Sequence, residues 1–248
     1  MRKNKLILTG ICICLILAAG MTMNMEVSIR QGINGRIREI KMPLYIKAME
    51  FLTRHYEYQR IAKEITKGCN TEEEKVLAIL KWTHENIKPL PLGMPMVDDH
   101  ILNIIIRGYG AADQSEDVFA NLCSYAGIPS FYMLIRANDR KIRYPLSFVK
   151  IDGKWQVFDS YYNIYFRTKT GEIASVDDII ADKSIVRDAD IAGIVIGEVP
   201  YKEFYYSLKP IGSVGTLRPD KQMPLKRIVF EIKKALGMEK EIADADGP

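Results

Sequence analysis

The stretch GYGAADQSEDVFANLCSYAGIPS, residues 108–130, has the residue pattern of an active-site entrance. Gly108 and Gly110 make a turn, a helix opens near Ala112, and Gly127 and Pro129 close it. A thiol or hydroxyl at such a helix start would be activated, because the unpaired backbone N–H groups there favour negative charge. The side chain at that place is the methyl of Ala112, which has neither a proton nor an electron pair to give. Two reactive types lie nearby. Ser115 sits in the first helical turn, as a nucleophile or as part of a solvated helix start. Cys123 comes eleven residues after Ala112, about 16 Å along the axis on nearly the same face, the placement of a buried core thiol. Asp113 and Gln114 could hydrogen-bond a peptide amide or a sugar hydroxyl, or satisfy the N–H groups of the opening turn. Tyr109 could wall a cleft or pack over the glycines.

Elsewhere chemistry is sparse. His55, His84 and His100 are far apart and have no close cysteine partners, a spacing that argues against a structural metal site. His84 reads as a helix-face residue, while His100, in DDHILN, lies just upstream of the glycine turn. Asp98, Asp99 and His100 offer oxygen and nitrogen ligands, but consecutive residues rarely enclose a metal unaided. No metal and no cofactor is expected. Four cysteines, two of them at positions 12 and 14, make no disulfide scaffold. A net charge of +4 spread over dispersed Lys and Arg does not mark a nucleic-acid binder.

The elements that would position these residues follow from period and caps. YIKAMEFLTRHYEYQRIAKEI reads as a helix ending near Gly68. NTEEEKVLAILKWTHENI is a second helix, with Thr71 and Glu74 as a capping box and Val76, Leu77, Leu80 and Ile87 as its buried face. The proline-rich KPLPLGMPMVDD is irregular. In the helix after Ala112, Val118, Phe119, Leu122, Cys123 and Ala126 form a core-facing stripe. SFYMLIR, RYPLSFVKI and KWQVFDS are strands, the last two joined by a tight turn at Asp152-Gly153, and YNIYFRT is a candidate for another. Trp82 and Trp155 are anchors in or near the core. Ser175 caps a short helix, YKEFYYSLKPIG is helix or strand, and PLKRIVFEIKKALG is a terminal helix with Ile228, Val229, Ile232, Ala235 and Leu236 on one face. Helices followed by an antiparallel sheet give an α+β domain.

Taken in order, GYGAADQSEDVFANLCSYAGIP and YPLSFVKIDGKWQVFDSYY resemble the transglutaminase-like domain, a branch of the papain-like cysteine enzymes, over residues 70–165. The resemblance implies a central helix packed on an antiparallel sheet, with a cysteine at the helix start, a histidine at the start of one strand and an aspartate at the end of the next. Carried over residue by residue, the cysteine position falls on Ala112 and the histidine position on Tyr144. Asp159 is retained, with Ser160 where proline is common. Cysteine, histidine and aspartate act as nucleophile, proton carrier and orienter. A tyrosine with an ordinary pKa near ~10 is a poor base at neutral pH. The resemblance therefore implies a catalytically degenerate domain, with Tyr109, Asp113, Gln114 and Tyr144 as candidate substrate contacts. It would bind a peptide, a protein or a cell-envelope polymer, or serve in assembly. The alternative is an active hydrolase or acyltransferase using a non-standard nucleophile.

The chain opens with Arg2, Lys3 and Lys5 before an apolar run from Leu6 to Met21, with small residues at Ala18-Ala19-Gly20. This pattern predicts a signal peptide or membrane anchor over 1–23, a membrane partner through it, and a body that faces outward or is secreted. Residues 24–40 are expected as a tether or an edge strand turning at Asn34-Gly35, residues 41–240 as the domain with helical flanks, and the acidic tail 241–248 as frayed.

Overall fold

The computed structural model describes residues 20–33, 36–96, 98–137, 142–187, 189, 191 and 193–238, together with positions 10, 13 and 18. Most of the leader, the turn at 34–35 and the tail 241–248 lie outside the described residues. The chain divides into two compact units, Met1–Arg54 and His55–Pro248.

In the first unit, β1 (Glu26–Ile33) and β2 (Arg36–Pro43) form an antiparallel hairpin in which Glu26 faces Pro43 and Ile33 faces Arg36. Helix α1 (Leu44–Ile65) follows directly. The expected membrane anchor and membrane partner are corrected here. Among the described residues no helix is long and apolar enough to cross a membrane. The apolar run from Leu6 to Met21 is itself shorter than the roughly 20 residues a spanning helix needs.

The second unit is mixed α+β, with helices packed against a four-stranded antiparallel sheet in the order β5-β6-β7-β8. These strands are Ser130–Arg136, Arg143–Ile151, Lys154–Asp159 and Ile164–Tyr165. Asp152 and Gly153 join β6 to β7 with φ of 49° and 81°. Two successive positive values make a type I′ turn, whose twist matches the strands. Side chains alternate across the sheet. Val149, Ile151 and Phe158 join one core with Val118, Phe119, Leu122 and Cys123 of α4 (Ala112–Tyr125) and Val76, Ile79 and Leu80 of α2 (Glu72–Asn86). Tyr144, Leu146, Phe148 and Val157 join a second core. That core is closed by α5 (Val176–Ala181), α6 (Ser184–Arg187) and α7 (Lys202–Tyr206), through Ile179, Val186, Phe204 and Tyr205.

Local signals act where the sequence puts them. Thr71 accepts from the Glu74 N–H at 3.1 Å, and Glu74 returns a bond to the Thr71 N–H. Ser175 and Asp178 repeat the device at the start of α5. Trp155 is half-buried and meets Phe131 edge-on at 5.0 Å. Trp82 packs at the border of the first core. Short strands β3 (Lys88–Pro89) and β4 (Tyr109–Gly110) pair in parallel and bring the proline-rich segment alongside the glycine turn. Helix α3 (Ile101–Arg107) lies between them.

Candidate functional site

The start of α4 is braced from outside the helix. Ala111 occupies the N-cap but has no side-chain acceptor. Gln114 caps in its place, its Oε1 accepting from the Ala111 N–H at 3.2 Å and from Arg107 Nη2 at 2.7 Å. Its Nε2 donates to the Asp98 carbonyl at 3.1 Å and to Asp99 Oδ1 at 2.6 Å. The whole amide is thus taken up within the fold. Gly110 leaves room for it, since a Cβ there would stand 2.9 Å from Gln114 Oε1. Asp113 accepts from the Gln114 N–H at 3.0 Å. Its carboxyl pKa is raised by burial, with the Asp99 charge adding to the effect. Tyr109 is half-buried, with its carbonyl accepting from Arg107 Nε at 2.8 Å and its ring lying 5.7 Å from the same guanidinium.

At one end of the sheet Tyr144 and Asp159 come together. Ser147 pairs with Phe158. Continued by one step, that register sets Asp159 opposite Leu146, and Tyr144 becomes its diagonal neighbour on the same face. Ala112 packs against the apolar cluster that contains Tyr144. Asp159 and Tyr144 are both buried.

Asp159 has no histidine to orient. Its Oδ1 accepts from the Tyr162 N–H at 2.7 Å, and its Oδ2 accepts from the Tyr201 hydroxyl. Tyr201 is linked in turn to Tyr205, hydroxyl to hydroxyl, at 2.6 Å. Around Tyr144 stand Tyr201 edge-on at 5.5 Å, Phe204 at 5.4 Å and Tyr162 stacked at 6.3 Å. Burial, then the charges of Asp159 and Glu116, push the Tyr144 hydroxyl pKa far above its ordinary value. As a base at neutral pH it is worse than a solvated tyrosine, because its anion would form beside carboxylates in a dry site.

Sequence reasoning missed Glu116. One turn beyond Ala112 and fully buried, it accepts at Oε1 from the Ser160 N–H at 2.6 Å, the Ser160 hydroxyl at 2.8 Å and the Tyr161 N–H at 3.3 Å. Its pKa lies well above the usual carboxyl range, first through burial and then through the nearby Asp159 charge. Asp159 is also shifted upward by burial, against the hydrogen bond from Tyr201. Ser115 is buried and bonded to the Ser160 hydroxyl at 2.9 Å. Ser160 thus supplies an N–H and a hydroxyl that tie α4 to the end of β7. Tyr201 and Tyr205 come from beyond residues 70–165, and the signal for them is the aromatic density of YKEFYYSLKPIG.

The remaining candidates lie apart from this cluster or serve packing. Cys123 is fully buried, and burial pushes its thiol pKa well up. His84 Nδ1 contacts the Tyr161 carbonyl at 3.0 Å, bridging α2 to the turn after β7. His100 stands at the N-cap of α3, its N–H donating to Asp98 Oδ1 at 2.9 Å. Among the described residues no group of three His, Cys, Asp or Glu side chains is placed to hold a metal ion.

No family model and no curated protein matches the chain. Among solved structures it is similar to a proposed protease from Parabacteroides distasonis, at 17% identity and a TM-score of 0.35, over 53% of this chain and 35% of that one. It is also similar to a proposed cysteine protease from Cytophaga hutchinsonii, at 18% identity and a TM-score of 0.39, over 53% and 48%. A TGase matches at 12% identity and a TM-score of 0.33, over 54% and 43%. The chain thus spans between about a third and a half of the length of these structures. At these TM-scores the likeness establishes neither a shared activity nor shared catalytic residues.

Proposed function

We propose that this chain is a transglutaminase-like domain without Cys-His-Asp chemistry, working as a binding or assembly module for an extended peptide, a protein or a cell-envelope polymer. The observation that carries this is the bonding of Asp159. Its carboxyl is taken up by Tyr201 and Tyr162, beside an aromatic cluster that includes Tyr144, the residue to which the resemblance carries the histidine position. A proton relay needs a group that titrates near neutrality next to a nucleophile, and neither Ala112 nor Tyr144 meets that requirement.

Binding of an extended chain is supported by the edge of the sheet. Among the described residues β5 pairs on one side only, with β6. An extended peptide can add to such an edge through main-chain hydrogen bonds. Export of the body goes with this role, from the basic start and apolar run of the leader. Cell fractionation tests it: intact protein confined to the cytoplasm would contradict export.

The experiment for the module itself is titration of the purified chain with isolated cell-wall sacculi and with a set of extended peptides, run beside an amide-hydrolysis assay. Saturable binding without turnover is expected. Turnover would refute the proposal, as would failure of both probes to bind.

A further inference from the structure

Strand β5 gives Phe131, Met133 and Ile135 to the second core, so Ser130, Tyr132 and Leu134 face the other way, toward α4. Ser130 Oγ donates to the Ala120 carbonyl at 2.6 Å and meets Ser124 Oγ at 2.9 Å. Asp117, Asn121 and Ser124 share one face of α4, at i, i+4 and i+7, and all three are buried. A polar seam therefore runs between helix and strand. At its middle stands Asn121, fully buried, with neither its Oδ1 nor its Nδ2 in a hydrogen bond. A buried amide left unbonded costs stability, and it points to a polar guest.

An arginine from far along the chain closes the outer end of this seam. Arg218 Nη2 donates to Asp117 Oδ2 at 2.8 Å and its Nη1 to the Tyr132 hydroxyl at 3.1 Å, with the guanidinium 5.6 Å from the Tyr132 ring. Asp113, one turn before Asp117, lies within reach of the same charge. The acid is built in, its side chain 5% exposed, whereas the arginine side chain is 38% exposed. Residues 209–216, which deliver it, form no helix or strand and include Gly212 and Gly215. Leu217 and Pro219 are buried on either side of it. Helix α8 (Pro224–Ala235) follows, burying Phe230 and leaving Ile228 and Ile232 exposed.

We propose that Arg218 is a ligand held in cis, and that Asp117, Tyr132 and Asn121 form a subsite for a basic side chain of an extended peptide laid along the edge of β5. A peptide residue placed opposite Tyr132 turns its side chain to the same face of the sheet, the face toward Asp117. Arginine fits best, because its planar fork donates to a carboxylate and a hydroxyl together and stacks on an aromatic ring. Reaching further along α4, it meets Asn121 Oδ1, an acceptor that Arg218 leaves unused. The inference rests on the reading of β5 as a peptide-binding edge and adds the side chain that this edge selects.

Fluorescence anisotropy of the full chain tests it, with a short labelled Thr/Val peptide bearing one central arginine and a twin bearing glutamine there. Arg218→Gln keeps a stem over Tyr132 and takes the tethered competitor away. It should tighten the arginine peptide by about tenfold or more and change the glutamine peptide by less than about twofold. Asp117→Asn added to Arg218→Gln should erase the gain. In the unaltered chain the arginine peptide should still outbind its twin by about threefold or more, a comparison that needs no variant to fold. Equal affinity for the two peptides in both chains would leave β5 as a binding edge and overturn the subsite. So would an Arg218→Gln chain that binds the arginine peptide no more tightly, the mark of a purely structural clasp. Binding of neither peptide to either chain would overturn both readings.

Discussion

The hydroxyl of Tyr201 donates to Oδ2 of Asp159, joining α7 to the end of β7 where both side chains are shut off from water. The buried carboxyl of Asp159 is thus held by a phenol. Tyr201→Phe keeps the ring and removes the donor. It should cost about 1–3 kcal/mol of stability, the penalty for stranding a buried acceptor, measured by urea unfolding. Tyr205→Phe, one bond further from the carboxylate, should cost less.

Two buried carboxyls give the fold a pH dependence of definite sign. Glu116 and Asp159 both have folded pKa values raised by burial. They face each other across Ser160 and are flanked by Ser147 and the hydroxyls of Tyr144, Tyr201 and Tyr205. An acid whose pKa rises on folding holds its proton in the native state after the unfolded chain has released it. The resulting stability is fully present below the unfolded carboxyl range, about 4, and is lost as pH rises through the raised values. Melting temperature should therefore fall from pH 5 toward pH 8 by more than surface charge explains. Glu116→Gln should flatten that profile, while an unchanged slope in the variant would reject the assignment to Glu116.

The brace at the helix start predicts a different pair of effects. Gln114→Ala removes an amide that serves Arg107, Ala111, Asp98 and Asp99, and should destabilise by about 2–4 kcal/mol. Gly110→Ala should cost about 1–3 kcal/mol, because its Cβ would press on Gln114. Combined, the two should cost less than their sum, since removing Gln114 relieves the clash. Thermal unfolding of the three variants measures this.

Much of the frame that positions the site was legible in the sequence. The stripe from Val118 to Ala126, the Thr71–Glu74 capping box, the Ser175 N-cap and the Asp152-Gly153 turn are local signals, and local physics executes them. The bonds that decide the chemistry are not local. Glu116 meets Ser160 from 44 positions away and Tyr201 meets Asp159 from 42, and no period or spacing encodes which polar side chain closes on which. DQSE at the helix start could equally be a solvated turn, yet Gln114, Ser115 and Glu116 are all buried. The apolar face of α8 was equally plain, but periodicity says that a face exists and not where it points. Only the packing of Phe230 shows that it points to water.

The most direct test of the central claim is turnover by the purified wild-type chain, assayed for amide hydrolysis and acyl transfer beside thiol- and serine-directed activity probes. We predict no turnover and no labelling in the native state, with Cys123 reacting only as the protein unfolds. Ala112→Cys alone should also stay silent, since Tyr144 cannot take its proton. Robust turnover by the wild-type chain, abolished by Ser115→Ala or Cys123→Ala, would contradict the claim and identify the nucleophile.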